Sequence, residues 1–338
     1  MADYNEFILT FCHKKWSDFK MQSVNIGQSN WQASNVALGT MRMATLTPAQ
    51  AADALNAALE AGINFIDSAD IYGNGASEVN FGKALKLAGI KRDQLFIQSK
   101  GGIVLDPQRS HGDLVFGQRY DFSKQHLLDA VDGILQRMGV DYLDAFLLHR
   151  PDPLMELDEV AAAFDELKTS GKVRHFGVSN FNPRQIEMLK TAVKQPLLIN
   201  QVQFSLAHTG MIDFGMHTNM QDQGSINHDG GIIEYARQTK MTLQTWSPFQ
   251  FGLFEGMYID DDEHYPELNQ ELAKLADKYG VSKNAIAVAW ILRHPAHMQV
   301  LLGTVNPQHI LNSAKGSDVQ LTKQEWYDLY LSAGNILP

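Results

Sequence analysis

The 338-residue chain has a single cysteine, Cys12, so no disulfide can form within it. That scarcity fits a reducing compartment, and a cytoplasmic location is expected. No uninterrupted apolar run approaches the ~20 residues that a membrane helix requires. The opening MADYNEFILTFCHKKW sets acidic residues ahead of a very short apolar patch, the reverse of a secretory leader. An excess of basic charge is missing as well. Lys and Arg number 28 against 38 Asp and Glu, a net charge of -10, which argues against a nucleic-acid partner as the lack of spans argues against a membrane one. No low-complexity tract or composition shift marks a linker. Length alone suggests two domains, but α/β barrels commonly run this long as one unit.

One further absence decides a motif. In FIDSADIYGNGAS, Gly73-Asn74-Gly75 follows an apolar run and precedes a helical pattern, as a dinucleotide-binding turn would. The full fingerprint needs a third glycine, and position 78 holds Glu78, whose charge is unsuited to a pyrophosphate.

What is present is a repeated alternation. The runs NVALGT, NFIDSA, LFIQSK, YLDAFLLH, VRHFGVSN, LLINQVQF, MTLQTWS and MQVLLGT read as strands, and amphipathic stretches of helical period separate them. Asn182 followed by Pro183 is a helix start, and Gly62, Gly139 and Gly171 are helix stops. Strands that are apolar almost throughout are covered on both faces, which favours parallel strands with crossover helices. Eight such units predict an α/β fold, a (β/α)₈ TIM barrel over residues 21–338, in preference to an open doubly wound sheet. Residues 1–20 form an N-terminal extension, and part of residues 1–30 is expected to make a hairpin plugging the barrel bottom. The long segments 103–122 and 208–229 follow the third and sixth strands and are expected to overhang the active face.

Several strands end in polar groups that a pure core would not choose: Asp67, with Tyr72 just beyond it, then Lys100 and His149. Each has a plain structural explanation: a turn cap, a loop filler, a peripheral ion pair, a hydrogen-bonded histidine. At successive strand ends, though, they would all project from the C-terminal face of a barrel, where chemistry is expected. A Lys⁺ beside a tyrosine lowers the phenol pKa from about 10. A carboxylate keeps that lysine charged, and a neutral imidazole donates to a carbonyl oxygen. Such a group of four would protonate a carbonyl while a separate donor supplies hydride.

The ordered segments GINFIDSADIYGNG, QSK, YLDAFLLHRPDPLM, GKVRHFGVSNF, INQVQFS and TWSPF resemble the successive signatures of the aldo-keto reductases, from about residue 22 to residue 333. The middle section is especially similar to a bacterial branch of predicted oxidoreductases. The resemblance implies a barrel that reduces a small-molecule aldehyde or ketone with a nicotinamide cofactor, NADP(H) being favoured and NAD(H) the alternative, without a metal. It makes Tyr72 the general acid, Lys100 its pKa-lowering partner, Asp67 the carboxylate holding that lysine, and His149 the residue orienting the carbonyl. It gives Ser179, Asn180 and Gln201 the nicotinamide carboxamide and Trp246 the ring-stacking position, with Gly39, Thr40, Ser247 and Phe249 as further cofactor contacts. Gly303, Thr304, His309 and Asn312 fall at the adenosine phosphate end, where Asn306-Pro307 looks like a helix start whose free N–H groups bind phosphate. No Lys or Arg stands in its first turn. Phe249, Phe251, Met216 and Tyr120 are candidate apolar walls for the substrate. Two other readings stay open: a nicotinamide-nucleotide-binding regulatory subunit with little turnover, and a lyase or aldolase with a Schiff base on Lys100.

Overall fold

The chain enters its fold through a short antiparallel hairpin, β1 (Ser23–Asn25) and β2 (Gln32–Ser34). The structure is a computed structural model that describes residues 20–110, 116–252 and 255–337; the extension expected over residues 1–20, Lys20 apart, and Cys12 with it lie outside the described residues. The apolar runs then supply β3 (Val36–Gly39), β4 (Phe65–Asp67) and β5 (Phe96–Gly101). A second hairpin follows, β6 (Ile103–Leu105) with β7 (Gly117–Tyr120), and after it β8 (Leu143–Leu148), β9 (Val173–Ser179), β10 (Leu197–Gln203), β11 (Thr242–Trp246) and β12 (Gln299–Leu302). Eight of these close into a parallel barrel in the order β10-β11-β12-β3-β4-β5-β8-β9. The fold is the (β/α)₈ barrel that the alternation predicts.

The connecting helices are α1 (Pro48–Glu60), α2 (Ala76–Ala88), α3 (Lys124–Met138), α4 (Leu157–Thr169), α5 (Pro183–Leu189), α6 (Gly210–Met216) and α7 (Ile232–Thr239). Then come α8 (Pro266–Tyr279), α9 (Lys283–Leu292), α10 (Pro307–Ala314) and α11 (Lys323–Ser332). Their boundaries follow local chemistry. Thr47 and Asn182 each accept from the third backbone N–H of their helix and are followed by proline. Gly62, Gly139 and Gly171 take left-handed φ of 76°, 66° and 77° where helices stop. Among the described residues, no helix is long and apolar enough to cross a membrane.

Two apolar layers hold the barrel. The outer one packs Leu38, Ile66, Ile97, Phe146 and Val178 from the strands against Phe81, Val131, Phe164 and Ile186 from the helices. The inner one joins Phe65, Leu147, Ile199 and Leu301 to Val24, Ile26 and Ala33 of the first hairpin, which plugs the barrel as expected. The side-chain period of two then fixes where polar groups go. In β4, Phe65 and Asp67 face inward and Ile66 outward; in β5, Gln98 and Lys100 face inward while Ile97 and Ser99 meet the helices. Above the apolar plug the barrel interior therefore becomes polar, toward the C-terminal ends of the strands.

The glycines of GNG serve the chain, not a phosphate. Gly73, Asn74 and Gly75 all take positive φ, 56°, 54° and 87°, in the tight turn between β4 and α2. A Cβ on Gly73 would lie 2.3 Å from that of Ala44. Glu78 is buried in the first turn of α2, accepting from Arg137 Nε at 2.7 Å and Ser99 Oγ at 3.1 Å.

Candidate active site

Tyr72 lies in the turn after β4, Lys100 near the end of β5, and His149 directly after β8. Because β4, β5 and β8 are adjacent in the barrel, these groups meet at one rim. The fully buried Lys100 Nζ lies 2.9 Å from Asp67 Oδ2, 3.1 Å from the Tyr72 hydroxyl and 2.6 Å from the Ser68 carbonyl oxygen. Three acceptors in reach are what an ammonium can fill. Burial works against its charge, but Asp67 and Tyr72 outweigh it and Lys100 titrates above its ordinary value. A permanently charged, fully engaged amine is a poor Schiff-base nucleophile, so the lyase reading loses its group.

Burial also raises Tyr72 above the ordinary phenol range, although Lys100 pulls the other way. The sequence predicts a lowered value; desolvation, which sequence does not display, reverses it, and the phenol keeps its proton. His149 is pushed well below the ordinary imidazole range, first by burial and then by Lys100 and Arg150. It is neutral, its ring meets that of Tyr72 edge-on at 6.1 Å, and its buried Nδ1 has no partner among the described residues.

Asp67 is held from below by two amides, that of Gln98, to which motif reading gives no role, and that of Gln201, to which it gives only a cofactor role. Its Oδ1 accepts from Gln98 Nε2 at 2.6 Å and Gln201 Nε2 at 2.9 Å. Both amides also donate to Gln244 Oε1, Gln244 donates to Gln299, and Gln299 donates to the backbone of Ser34. The chain of amides links the carboxylate to the hairpin at the barrel bottom. The signal in the sequence is the inward-facing polar residue two positions before Lys100, and its counterparts on β10, β11 and β12.

The expected cofactor residues divide. Ser179, Asn180, Gln201 and Trp246 form one connected group. Asn180 donates to Ser179 Oγ at 2.8 Å and accepts from Trp246 Nε1 at 3.3 Å. Gln201 spends both amide protons on Asp67 and Gln244, so its oxygen is the atom left to accept. Asn180 and Ser247 hold positive φ, 60° and 49°, strain of the kind that gathers at functional sites. Thr40 is fully buried with its hydroxyl donated to Ser68, beside Gly39 at the end of β3. Phe249 packs on the outer core, Phe251 lies 5.6 Å from the Tyr265 ring, and Met216 lines a groove of the helical layer with Ile233 and Trp326.

At the other end, Gly303, Thr304, His309 and Asn312 lie at and beyond the end of β12, where α10 starts as expected. Its first-turn amides are already used: Asn306 Oδ1 accepts from the N–H groups of Gln308 and His309 at 2.9 and 3.2 Å. A positive charge stands beside this end of β12 in Arg42, which follows β3 and donates to the Gly303 carbonyl at 2.5 Å. No sequence signal joins positions 261 apart.

The family model of the aldo/keto reductases matches residues 35–330. The chain belongs to the aldo/keto reductase family. Its relatives include a 6-dehydroglucose reductase of Agrobacterium fabrum, 34% identical over 89% of this chain and 95% of that protein. Oxidoreductase YdhF of Escherichia coli is 30% identical over 93% and 98%. The crystal structure of an aldo-keto reductase from Klebsiella pneumoniae in complex with NADPH shares the fold, with a TM-score of 0.71 at 22% identity over 92% of this chain and 94% of that one.

A titration accompanies this aldo/keto reductase site. Burial, with Glu78 nearby, pushes the Asp70 carboxyl from 3.8 up to about 7. Between those values the folded chain holds a proton that the unfolded chain has lost, so stability falls as pH rises from 3.8 to about 7 and is level above that. Asp70→Asn is neutral throughout. It should melt higher than the native chain at pH 8 and nearly level with it below about pH 4; a difference that does not change with pH refutes the assignment.

Proposed function

We propose that the protein reduces an aldehyde or ketone to the alcohol with NADP(H), Tyr72 supplying the proton. The contact that carries this reading is Lys100 Nζ placed between Asp67 and the Tyr72 hydroxyl. The cofactor, when bound, supplies the hydride. The residues fit it: Gln201 keeps an oxygen for a carboxamide N–H, Ser179 and Asn180 flank it, Trp246 offers a flat face, and Arg42 with Gly303 brings a cation to the phosphate end. The Klebsiella relative of the same fold holds NADPH.

Neutral His149 donates a hydrogen bond to the carbonyl oxygen and orients it toward the Tyr72 hydroxyl. As negative charge grows on that oxygen, Tyr72 passes its proton to it, and the resulting phenolate is stabilised by the Lys100 ammonium at 3.1 Å. Lys100 therefore acts on the product side of the proton transfer even though burial keeps the resting phenol neutral. Asp67, fixed by two glutamine amides, holds the ammonium charged and aimed.

The test is consumption of NADPH and of NADH, followed by absorbance, across a panel of aldehydes and ketones that includes hydroxylated sugar aldehydes, since the Agrobacterium relative is named for 6-dehydroglucose. NADPH-dependent turnover of at least one class is expected. Tight NADPH binding with no turnover of any carbonyl would favour the regulatory-subunit reading.

A further inference from the structure

The charges at the barrel mouth do not balance. Lys100 is matched by Asp67, and His149 and Tyr72 are neutral. Arg150, the residue after His149, is left over. Its guanidinium carbon lies 5.6 Å from the centre of the Trp246 ring, and its charge is within electrostatic reach of Tyr72 and of Tyr120 on the β6–β7 hairpin. Among the described residues no carboxylate pairs with it and no hydrogen bond engages its five N–H donors. The nearest acid in sequence, Asp152, is turned onto its own loop and accepts from Leu154 N–H at 2.8 Å. In a chain with a net charge of -10, a partly buried cation among aromatic rings and without a counter-ion is costly unless a ligand completes it.

The proposed cofactor phosphates are placed to miss it. Arg42 and Gly303 follow β3 and β12, and β12 stands four strands from β8 in the eight-stranded ring, diametrically across the mouth from the loop that carries Arg150. Arg150 directly follows His149, proposed to orient the carbonyl, and lies within electrostatic reach of Tyr72, the proposed proton donor. An anion on Arg150 would thus belong to the molecule whose carbonyl meets Tyr72. One guanidinium with no second unpaired cation beside it among the described residues matches one negative charge, and its planar fork matches a planar carboxylate; a phosphate dianion would be left half neutralised.

We propose that Arg150 binds a carboxylate of the substrate, so that the preferred substrates are aldehydes or ketones carrying a carboxylate a few bonds from the carbonyl. This substrate class rests on the carbonyl-reductase reading above. Its test compares succinic semialdehyde, butanal and glyceraldehyde, with NADPH at pH 7, in the native protein, Arg150→Gln and Arg150→Lys. The native protein should prefer succinic semialdehyde to butanal in kcat/KM. Arg150→Gln should lose about 100-fold on succinic semialdehyde, mainly through KM, and less than about threefold on butanal. Arg150→Lys should recover part of the loss, since it restores the charge without the fork.

Equal loss on both substrates, or no native preference for the carboxylate, overturns the assignment while leaving carbonyl reduction intact. A glyceraldehyde preference that disappears in Arg150→Gln overturns it too, because the guanidinium would then be reading hydroxyls. Silence toward all three aldehydes in every variant overturns the substrate class, and silence across the wider panel of aldehydes and ketones overturns the carbonyl-reductase reading with it.

Discussion

Tyr72→Phe should lower the rate of carbonyl reduction by about 10²- to 10⁴-fold, the range for loss of a positioned general acid, while NADPH still binds. The substitution removes one oxygen and keeps the ring, including its edge-on contact with His149 at 6.1 Å. Lys100 keeps Asp67 and the Ser68 carbonyl as partners, so no buried charge is orphaned and the melting temperature should move little. Cofactor binding can be followed separately through quenching of tryptophan fluorescence, because Trp246 stands among the residues assigned to the nicotinamide. The dissociation constant should stay within about threefold of the native value, less than the loss of one ordinary hydrogen bond would cause. Native turnover in Tyr72→Phe would remove Tyr72 from the mechanism. A native protein that binds NADPH equally well and turns over nothing would make the variant uninformative about catalysis and point to the regulatory alternative.

Much of this is legible in the sequence because two simple periodicities carry it. Apolar runs with helical segments between them give a barrel, and the period of two along a strand then tells which of Gln98, Ser99 and Lys100 face inward. Asp67, Tyr72, Lys100 and His149 stand out because each sits where an apolar strand gives way to its loop. The glutamine chain escapes such reading because a single amide in a strand looks like an ordinary residue. Its meaning appears only when Gln98, Gln201, Gln244 and Gln299, from four strands, converge in one layer. Arg42 and Arg150 escape it for a related reason, since what distinguishes them is what other strands set beside them, the Gly303 carbonyl after the adjacent β12 and the Trp246 ring at the end of β11. The segments 103–122 and 208–229 read as loops because they follow the third and sixth strands and have no place in a minimal barrel. The structure instead places the β6–β7 hairpin in the first, and α6, whose Met211 and Ile212 join the outer core, with a short helical turn in the second. The helix start at Asn306-Pro307, expected from the sequence to bind phosphate, is legible as a start but not as capped: the asparagine that marks it is the group that takes the amides.

The pairing of Lys100 with Asp67 makes the second large effect a matter of stability as well as rate. Lys100→Met leaves a carboxylate, itself about 5% exposed, without its counter-ion. Breaking a buried pair in this way costs about 3–5 kcal/mol, and the stabilisation of the Tyr72 phenolate disappears with it, so kcat should fall at least as far as in Tyr72→Phe. Asp67→Asn should be similarly costly, because it strands the ammonium in the barrel. Its side-chain oxygen can still accept from Gln98 and Gln201, which makes it a substitution of charge more than of shape. The two changes together remove both charges while keeping the volume filled, and neutral replacement of a buried pair is often tolerated. The double variant should therefore be more stable than either single one in denaturant unfolding, yet as inactive as Lys100→Met. If the two losses of stability simply add, the ion pair is not the interaction that holds this part of the barrel. If the double variant recovers activity, Lys100 is not the group that stabilises the Tyr72 phenolate. Stability rescued without rate is the outcome that separates the ammonium's structural part, which any matched neutral pair can replace, from its chemical part, which needs a positive charge beside the phenol.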